Sequence, residues 1–420
     1  MHEGDGPEFF TLLLGATTGM CFMGSTSNLL MMLVAMETTS LPSYVLAGFR
    51  KTSRRGSEAS LKYVLFGAAA SAVMVYGMSW LYGLYGTLQL NEIRWRMDET
   101  GSIPLILAIG GLVVGMGFKI SVVPLHLWCP DVFEGAGIDV ATFLSVASKG
   151  AGLSMLMRVV MSFSNGMGYA DASILTTLAI VLGVLGAVTA TVGNLGAFVQ
   201  NNIKRLLAYS SIAHAGYMLC VYAMLTAGTA GEGLTQMQGA AQAILLYLTV
   251  YLFMNLGAFT VAGLVARETG SEDINDYAGL CTRNPLLAAC MTLCLFSLIG
   301  MPPLAGFVAK FNVMYVLGRS GGWMWALVAA IGVNTVFSLY YYARVIRSMY
   351  LTESDRPPVA GNPLGNAVAV GCAAMLLLLL VAYNPVQRLT SRYAKMSVIR
   401  ATEPPRQQGL QPLAQRGPTQ

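Results

Sequence analysis

Apolar residues occur along the chain in runs of about 20, separated by short polar connections. A run of this length crosses a hydrocarbon core about 30 Å thick as an α-helix, which satisfies every backbone polar group internally. The pattern therefore predicts an all-α polytopic membrane protein with about 11 transmembrane helices. The predicted helices lie near residues 9–26, 28–49, 61–86, 103–123, 138–162, 171–193, 204–227, 238–266, 285–318, 322–349 and 363–383.

The predicted helices form two groups of five, at about 9–162 and 171–349, followed by one last helix. The fourth helix of each group is interrupted, first at Pro124 before PLHLWCPDVFEGAG, and later at GMPPLAGF, Gly300 to Phe307. Proline removes a backbone hydrogen bond and glycine loosens the helix around it. Because five is odd, the second group inserts upside down relative to the first. The pattern predicts an inverted repeat whose broken helices mark an ion site.

Residues 1–395 are predicted to form a single transmembrane domain, and residues 396–420, rich in Pro, Gln and Arg, a disordered polar tail. Hydrophobic residues make up 55% of the chain and charged residues 11%. The net charge of +5 comes without a basic stripe interleaved with aromatics, so no nucleic-acid partner is expected. The seven cysteines form no CxxC pair and no disulfide framework, and the acidic N-terminus is unlike a cleaved signal peptide.

The distribution of basic residues predicts the orientation of the helices, because cytoplasmic loops carry an excess of Lys and Arg. Twelve lie in connections on one side: Arg50, Lys51, Arg54, Arg55, Lys62, Lys204, Arg205, Arg267, Arg283, Arg344, Arg347 and Arg356. The other side has Arg94, Arg96, Arg158 and Arg319 before the six basic residues that follow the last helix. The first side is therefore predicted to be cytoplasmic, with the N-terminus inside and the C-terminus outside.

Four charged residues interrupt the apolar runs: Glu37, Lys119, Lys149 and Lys310. A charge at the bilayer centre costs roughly 2.5–3.5 kcal/mol on insertion scales, and such residues commonly mark an ion or proton path. Glu37 is interpreted either as a structural acid bonded to nearby Thr or Ser hydroxyls, or as the partner of Lys119. In the second interpretation each charge offsets part of the other's desolvation, and separating them changes the proton affinity of the lysine.

The remaining candidates are less specific. Lys149, among Gly and Ser neighbours, and Lys310, just after the second break, are either snorkelling lysines or members of a proton path. His126, after the first break, and His214, in SSIAHAGY, are either packed hydrogen-bonding side chains or stepping stones that titrate near neutral pH. Two histidines so far apart in the sequence do not indicate a metal site.

Several motifs together carry a resemblance to a known family: METTSLPSYVLAGFR, GFKISVVPLHLWCPDVFEGA, NIKRLLAYSSIAHAGYM and GMPPLAGFVAKF. From about residue 8 to 385 the chain resembles subunit N of the bacterial proton-pumping NADH–quinone oxidoreductase, respiratory complex I, whose mitochondrial counterpart is subunit 2. Members of that family usually have three further helices before this point; truncation, a misassigned start or lineage loss would each account for the difference. In EGAGIDVAT, Asp139 stands where prolines are more usual, which bears on the cytoplasmic entrance.

The resemblance implies that Glu37, Lys119, Lys149 and Lys310 form a hydrated polar axis in a proton-translocating membrane-arm subunit. As a hypothesis, His214 bridges the middle of the axis and Lys62 modulates the first pair. The chain itself is expected to bind no cofactor or metal, with NAD, FMN, iron–sulfur clusters and quinone in partner subunits. The expected partners are other membrane-arm subunits and the lipid bilayer, and the expected location is the bacterial inner membrane.

Two other functions remain open. A subunit of a multi-subunit cation/proton antiporter would share the fold and the charged axis, and salt-gradient-driven proton exchange without an electron donor would favour it. A structural spacer in the membrane arm would leave substitutions of the buried lysines silent.

Overall fold

The computed structural model describes residues 6–50, 52–96, 102–164, 172–226, 232–354 and 356–402, and this part of the chain is helical and without strands. The first group of helices is α1 (Gly6–Ser25), α2 (Leu29–Ala47), α3 (Arg54–Tyr85), α4 (Leu90–Trp95), α5 (Ser102–Ile120), α6 (Trp128–Gly135), α7 (Ile138–Phe143) and α8 (Lys149–Ser164). The remaining helices are α9 (Ala172–Phe198), α10 (Ile203–Tyr222), α11 (Glu232–Thr269), α12 (Leu280–Arg283), α13 (Pro285–Ile299), α14 (Ala305–Ser320), α15 (Met324–Leu351), α16 (Pro363–Val381) and α17 (Tyr383–Thr402).

The described helices confirm the predicted all-α polytopic fold. Nine helical segments of the described part are long and apolar enough to span a membrane, with α7 and α8 counted as one segment. Helix α1 and the pair α13–α14 complete the 11 predicted positions. The helix ends lie at two faces, which we call the Arg50 face and the Arg158 face; the sequence predicts the Arg50 face to be cytoplasmic.

Matching backbone contacts relate the two groups of five helices. The side chain of Asn28 caps the N-terminus of α2, and that of Asn202 caps the N-terminus of α10. Each asparagine also forms an isolated antiparallel bridge to the segment that precedes its group's broken helix, Asn28 with Gln89 and Asn202 with Asp273. Helices α2 and α10 begin at opposite faces, because α10 is five spans after α2 and five is an odd number. The contacts are those of an inverted repeat.

Both predicted breaks are present. Helix α5 ends one residue after Lys119, and the backbone turns at Ser121, whose φ is 68°, before α6 begins. Helix α13 ends at Gly300 with φ of 84°, a conformation that glycine adopts without strain. A Cβ at Gly300 would also lie 2.9 Å from Cδ of Lys310. The second break therefore requires glycine both for its backbone and for the approach of the lysine.

Helix α10 occupies the centre of the molecule. It packs on α6, α8, α9, α11, α14 and α15, and 94% of its apolar membrane-spanning segment is buried inside the protein. Almost every side chain on this helix therefore faces protein, and its polar residues must find partners on neighbouring helices.

The C-terminal region differs from the prediction. Residues 383–402 form the helix α17, so the predicted tail is wrong for residues 396–402, while residues 403–420 lie outside the described part. The polar composition hid a narrow buried stripe, Thr390, Ala394 and Val398, which recurs every four residues. Helix α17 packs on α11 and α8, and this packing stabilises a helix that composition alone disfavours.

Candidate functional site

Three lysines lie deep in the protein: Lys119, Lys149 and Lys310 are 0%, 1% and 4% exposed. Within the described ranges, none of them forms an ion pair with a carboxylate. Each ammonium instead donates a hydrogen bond to a neutral oxygen. Because a buried ammonium group is costly unless it is well solvated by protein dipoles, these contacts are central to the site.

The first lysine binds helix α2 but not its acid. Lys119 donates to Oγ of Ser40 at 3.1 Å, whereas Glu37, one turn earlier on α2, accepts a hydrogen bond from Ser71 at 2.5 Å. Glu37 and the serine that binds Lys119 are therefore one turn apart on α2, and the carboxylate and the ammonium make no direct contact. The hydrogen bond from Ser71 is of the kind expected if Glu37 is a structural acid bonded to a nearby hydroxyl. The hydroxyl, however, comes from α3.

A glycine brings the first lysine close to the second. Helix α5 meets α8 at Gly152, where a Cβ would lie 3.4 Å from Cβ and Cγ of Lys119 and 3.0 Å from Cγ1 of Ile120. Gly152 is three residues after Lys149, so both lie on one face of α8. The stem of Lys119 thus packs one helical turn from Lys149.

Lys149 begins α8 directly after a π-helical turn, Leu144–Ser148. Such turns occur often at functional sites because they change which way the following side chains face. The ammonium of Lys149 donates to Oγ of Ser211 at 2.6 Å and lies 5.7 Å from the ring centre of Phe133. The hydroxyl of Ser211 itself donates to the carbonyl of Ala208 at 2.7 Å. Its oxygen therefore accepts from the lysine while its proton is held by the helix.

Helix α10 connects Lys149 to Lys310. Ser211, His214 and Tyr217 are spaced by three and share one face of this helix. Lys149 contacts Ser211 at one end of this face, and the ammonium of Lys310 lies 4.8 Å from the ring centre of Tyr217 at the other. Along this face His214 therefore lies between the residues that contact the two lysines, and its role as a bridge stays a prediction. We call these three side chains the α10 ladder.

The imidazole of His214 is surrounded by tyrosines. Its Nδ1 lies 2.8 Å from the hydroxyl of Tyr247, and its ring packs against those of Tyr217 and Tyr251. Lys310 completes this end by donating to the carbonyl of Ile299 at 2.9 Å, at the second break. The break thus supplies a backbone carbonyl that accepts a hydrogen bond from a buried cation.

The other histidine and two serines have unused polar atoms. His126 lies in the first break, half-buried, and makes no hydrogen bond to a buried lysine within the described ranges. Its Nδ1 and the hydroxyls of Ser121 and Ser148 are buried without a hydrogen-bond partner in the described part. These atoms lie in the first break and next to Lys149.

Lys62 belongs to a network of ion pairs. It binds Asp131 at 2.8 Å and Glu58 at 2.9 Å, and Asp131 also accepts from Arg205 at 2.7 Å. Arg205 bridges further to Glu134 at 2.8 Å. This network joins α3, α6 and α10 near the Arg50 face. Lys62 therefore contacts these groups directly, and its influence on the pair of Glu37 and Lys119 stays a prediction.

Sequence reasoning missed the neutral members of the site. Ser40, Tyr217 and Tyr247 were not candidates, although the spacing of three in SSIAHAGY places Ser211 and Tyr217 on the face of His214. Asp139, the departure from the family pattern, is exposed in the first turn of α7. Among the described residues no group of three or more His, Cys, Asp or Glu side chains could hold a metal ion.

The fold and the buried lysines define a class: polytopic helical proteins with an inverted repeat, two broken helices and lysines buried within the helices. The NADH:quinone oxidoreductase/Mrp antiporter transmembrane family matches residues 26–338, and the chain belongs to this family.

Relatives within this family include subunit N proteins, and their similarity to the chain confirms the resemblance seen in the sequence. It is 42% identical over 402 residues to NADH-quinone oxidoreductase subunit N 2 of Sorangium cellulosum (strain So ce56), covering 93% of this chain and 77% of the relative. It is 43% identical over 410 residues to NADH-quinone oxidoreductase subunit N of Anaeromyxobacter sp. (strain Fw109-5), covering 91% and 76%.

Solved structures show the same fold. A chain of respiratory complex I from Thermus thermophilus, solved with bound aureothin, superposes with a TM-score of 0.72 and 34% identity, covering 91% of this chain and 79% of that one. A chain of the Mrp complex from Dietzia sp. DQ12-45-1b superposes with a TM-score of 0.79 at 20% identity, covering 94% and 78%. The second likeness shows the fold alone.

Proposed function

We propose that this chain conducts protons as a membrane-arm subunit of a proton-translocating NADH–quinone oxidoreductase. The observation that carries the proposal is the α10 ladder, which joins Lys149 at Ser211 to Lys310 at Tyr217, with His214 between them. A buried relay needs groups that gain and lose protons at short spacing, and histidine is suited to this near neutral pH. The subunit N relatives support the assignment of the redox partner.

The first step is proposed at α2. Lys119 binds Ser40, and Glu37 lies one turn before this serine on α2. From this position the carboxylate holds Lys119 in its protonated form. A change in a neighbouring subunit that moves α2 or α3 would separate the charges, because Ser71 on α3 holds the carboxylate. Lys119 then loses stabilisation and releases its proton.

The second step is proposed as lateral transfer from Lys119 to Lys149. The close packing at Gly152 makes the distance short, and the unpartnered polar atoms of Ser121, His126 and Ser148 are groups that internal water molecules would satisfy. A water chain here would carry the proton to Lys149. The α10 ladder would then carry it to Lys310, which releases it toward the Arg158 face.

The partners follow from the same assignment. NADH oxidation and quinone reduction take place in other subunits, which hold NAD, FMN, iron–sulfur clusters and quinone. The chain would contact other antiporter-like subunits of the membrane arm within the bacterial inner membrane. Lys62, in the ion-pair network with Asp131, would act at the Arg50 face by holding α3 to α6.

The test uses inside-out membrane vesicles that contain the assembled complex. Lys149→Ala and Lys310→Ala are each expected to lower NADH–quinone reductase activity and dye-reported proton uptake together by roughly tenfold or more, because a positioned proton-transfer group contributes at least that much. The control is Arg347→Ala, an exposed cation at the Arg50 face. It is expected to leave both rates unchanged.

Assembly is checked by native gel for every variant. Wild-type activity and pumping in well-assembled lysine variants would exclude an essential relay and favour a structural spacer. Proton exchange driven by a salt gradient in the purified chain, with no electron donor, would instead favour a cation/proton antiporter.

A further inference from the structure

Helix α17 lies along the Arg158 face instead of crossing the membrane. Toward its C-terminal end, Tyr393 and Ser397 line a cavity together with Gly24 and Arg158. Its N-terminal half, through Gln387, reaches the ends of α11 and α14. A helix that spans these points runs in the plane of the membrane surface, at the depth of lipid headgroups.

The outer side of α17 is strongly basic. Arg388, Arg392 and Lys395 recur at spacings of four and three, so they form one exposed stripe. Arg319, at the end of α14, adds a fourth exposed cation across the groove between the two helices. None of the four forms an ion pair with another described residue.

The groove between α17, α11 and α14, which we call the α17 groove, consists of two adjoining cavities of about 550 Å³ and 530 Å³. They share Gln242, Gln387 and Ser391. The described lining residues include these cations, amides and hydroxyls but no Asp or Glu. The groove therefore presents hydrogen-bond donors and positive charge, which are the groups that bind phosphate oxygens.

An aromatic stripe leads from the α17 groove into the membrane. Phe307, Phe311 and Tyr315 stack along α14 at spacings of four, and Phe311 and Tyr315 are 53% and 51% exposed. The guanidinium of Arg319 lies 5.9 Å from the ring centre of Tyr315, so the stripe ends directly at the basic groove. Exposed Trp325 follows at the same face, as expected at a membrane–water interface. Cations above an apolar stripe match a charged headgroup above acyl chains.

We propose that the α17 groove binds the phosphate headgroup of an anionic phospholipid in the leaflet of the Arg158 face, with its acyl chains against Phe311 and Tyr315. The aromatic stripe favours a lipid over a free anion, which would need only the cations. Bound lipid would tie α17 to α11 and α14 and so fix the helix against the ends of both. This site is independent of the proton path.

The test is native mass spectrometry of the purified full-length chain with equal amounts of phosphatidylglycerol and phosphatidylcholine. The wild-type chain is expected to retain phosphatidylglycerol preferentially. The triple variant Arg388→Gln, Arg392→Gln, Lys395→Gln is expected to lose this preference by roughly tenfold or more, since each surface cation contributes about a fivefold gain in binding to anionic lipid.

The matched control removes three exposed cations from the other face, through Arg54→Gln, Arg267→Gln and Arg347→Gln. It has the same net charge as the triple variant and is expected to keep the wild-type preference. Equal loss in both variants would overturn the proposal, because it would show a general charge effect. Thermal unfolding of each variant checks the fold, and Arg319→Gln, expected to weaken binding by about fivefold, provides a milder change if the triple variant fails to fold.

Two further arms distinguish other occupants. Inorganic phosphate that competes with phosphatidylglycerol at equal concentration would show a simple anion site and overturn the lipid assignment. In the intact complex, crosslinks from α17 to an acidic segment of a neighbouring subunit, with no phosphatidylglycerol retained, would also overturn it. Co-purification of phosphatidylglycerol with the wild-type complex, and its loss from the triple variant, would support it.

Discussion

The hydroxyl of Tyr247 lies 2.8 Å from Nδ1 of His214. This contact is the only hydrogen bond that the imidazole forms within the described ranges. Tyr247 belongs to α11, whereas His214 belongs to α10. The contact fixes which ring nitrogen is bonded and so constrains the orientation of the imidazole. The tyrosine thus positions the middle of the α10 ladder.

Replacing Tyr247 by Phe is therefore expected to slow coupled proton pumping several-fold while the complex stays assembled. The loss of one buried hydrogen bond should cost about 1 kcal/mol of stability. Tyr222→Phe is the control, because Tyr222 is also fully buried and donates to the carbonyl of Leu153 at 2.6 Å, away from the ladder. Equal pumping by the Tyr247 and Tyr222 variants would show that Tyr247 does not position His214 for proton transfer.

Ser211 and Ser210 allow a sharper comparison, because they are adjacent, buried and equal in size. Ser211 accepts from Lys149 at 2.6 Å, whereas Ser210 bonds to Tyr342. Ser211→Ala leaves a buried ammonium without its acceptor and is expected to lower pumping about tenfold. Ser210→Ala is expected to change thermal stability but not the rate of proton pumping. A larger pumping defect in the Ser210 variant would contradict the ladder.

Alanine substitutions at two glycines distinguish the effect of backbone strain from the effect of crowding against Lys310. Gly300→Ala places a Cβ 2.9 Å from Cδ of Lys310 at φ of 84°, whereas Gly86→Ala, also in the left-handed region with φ of 63°, meets its nearest atom only at 3.9 Å. Both variants should lose about 1 kcal/mol of unfolding free energy from the positive φ. Only Gly300→Ala is expected to displace Lys310 and reduce pumping. Thermal unfolding and pumping assays on both variants check this, and similar pumping in the two would show that the crowding is relieved without effect.

Outside the membrane-spanning helices, Asp276 gives a pH prediction. Burial acts to raise the pKa of its carboxyl, but hydrogen bonds from Ser271 and Arg356 outweigh it and hold the pKa below its ordinary value. A carboxyl with a depressed pKa stabilises the fold above its unfolded-state pKa, and this contribution is lost as the pH falls through the folded-state pKa. Arg356→Gln should therefore lower thermal stability near neutral pH and flatten its decline in acid. An unchanged acid profile, compared with Arg347→Gln, would show that the pair does not contribute.

The sequence predicted the fold well because membrane helices leave a strong signal. Apolar runs located 11 spans, and proline with glycine located both breaks. Helix α17 was missed because its buried stripe is only one residue wide per turn, and its polar side chains resemble those of a tail. Its order depends on packing against α8 and α11, which no local pattern records.

The site was predicted in part. The charged members stood out because charge is rare in apolar runs, and the structure places His214 between two of the lysines. The neutral partners Ser40 and Tyr247 did not stand out, because hydroxyl residues are common in membrane helices and their partners come from other helices. For the same reason the separation of Glu37 from Lys119 and the binding of Lys62 to Asp131 could not be read from spacing along the chain.

The most direct test of the account is the pair of rates, quinone reduction by NADH and proton translocation, of complex that carries His214→Leu, measured in inside-out vesicles beside Met218→Leu. Met218 is also buried on α10, and its replacement keeps side-chain volume. The account predicts that His214→Leu lowers quinone reduction and proton translocation together by roughly tenfold, with the complex assembled and the control near wild type. Wild-type rates in the His214 variant would contradict a proton path along α10.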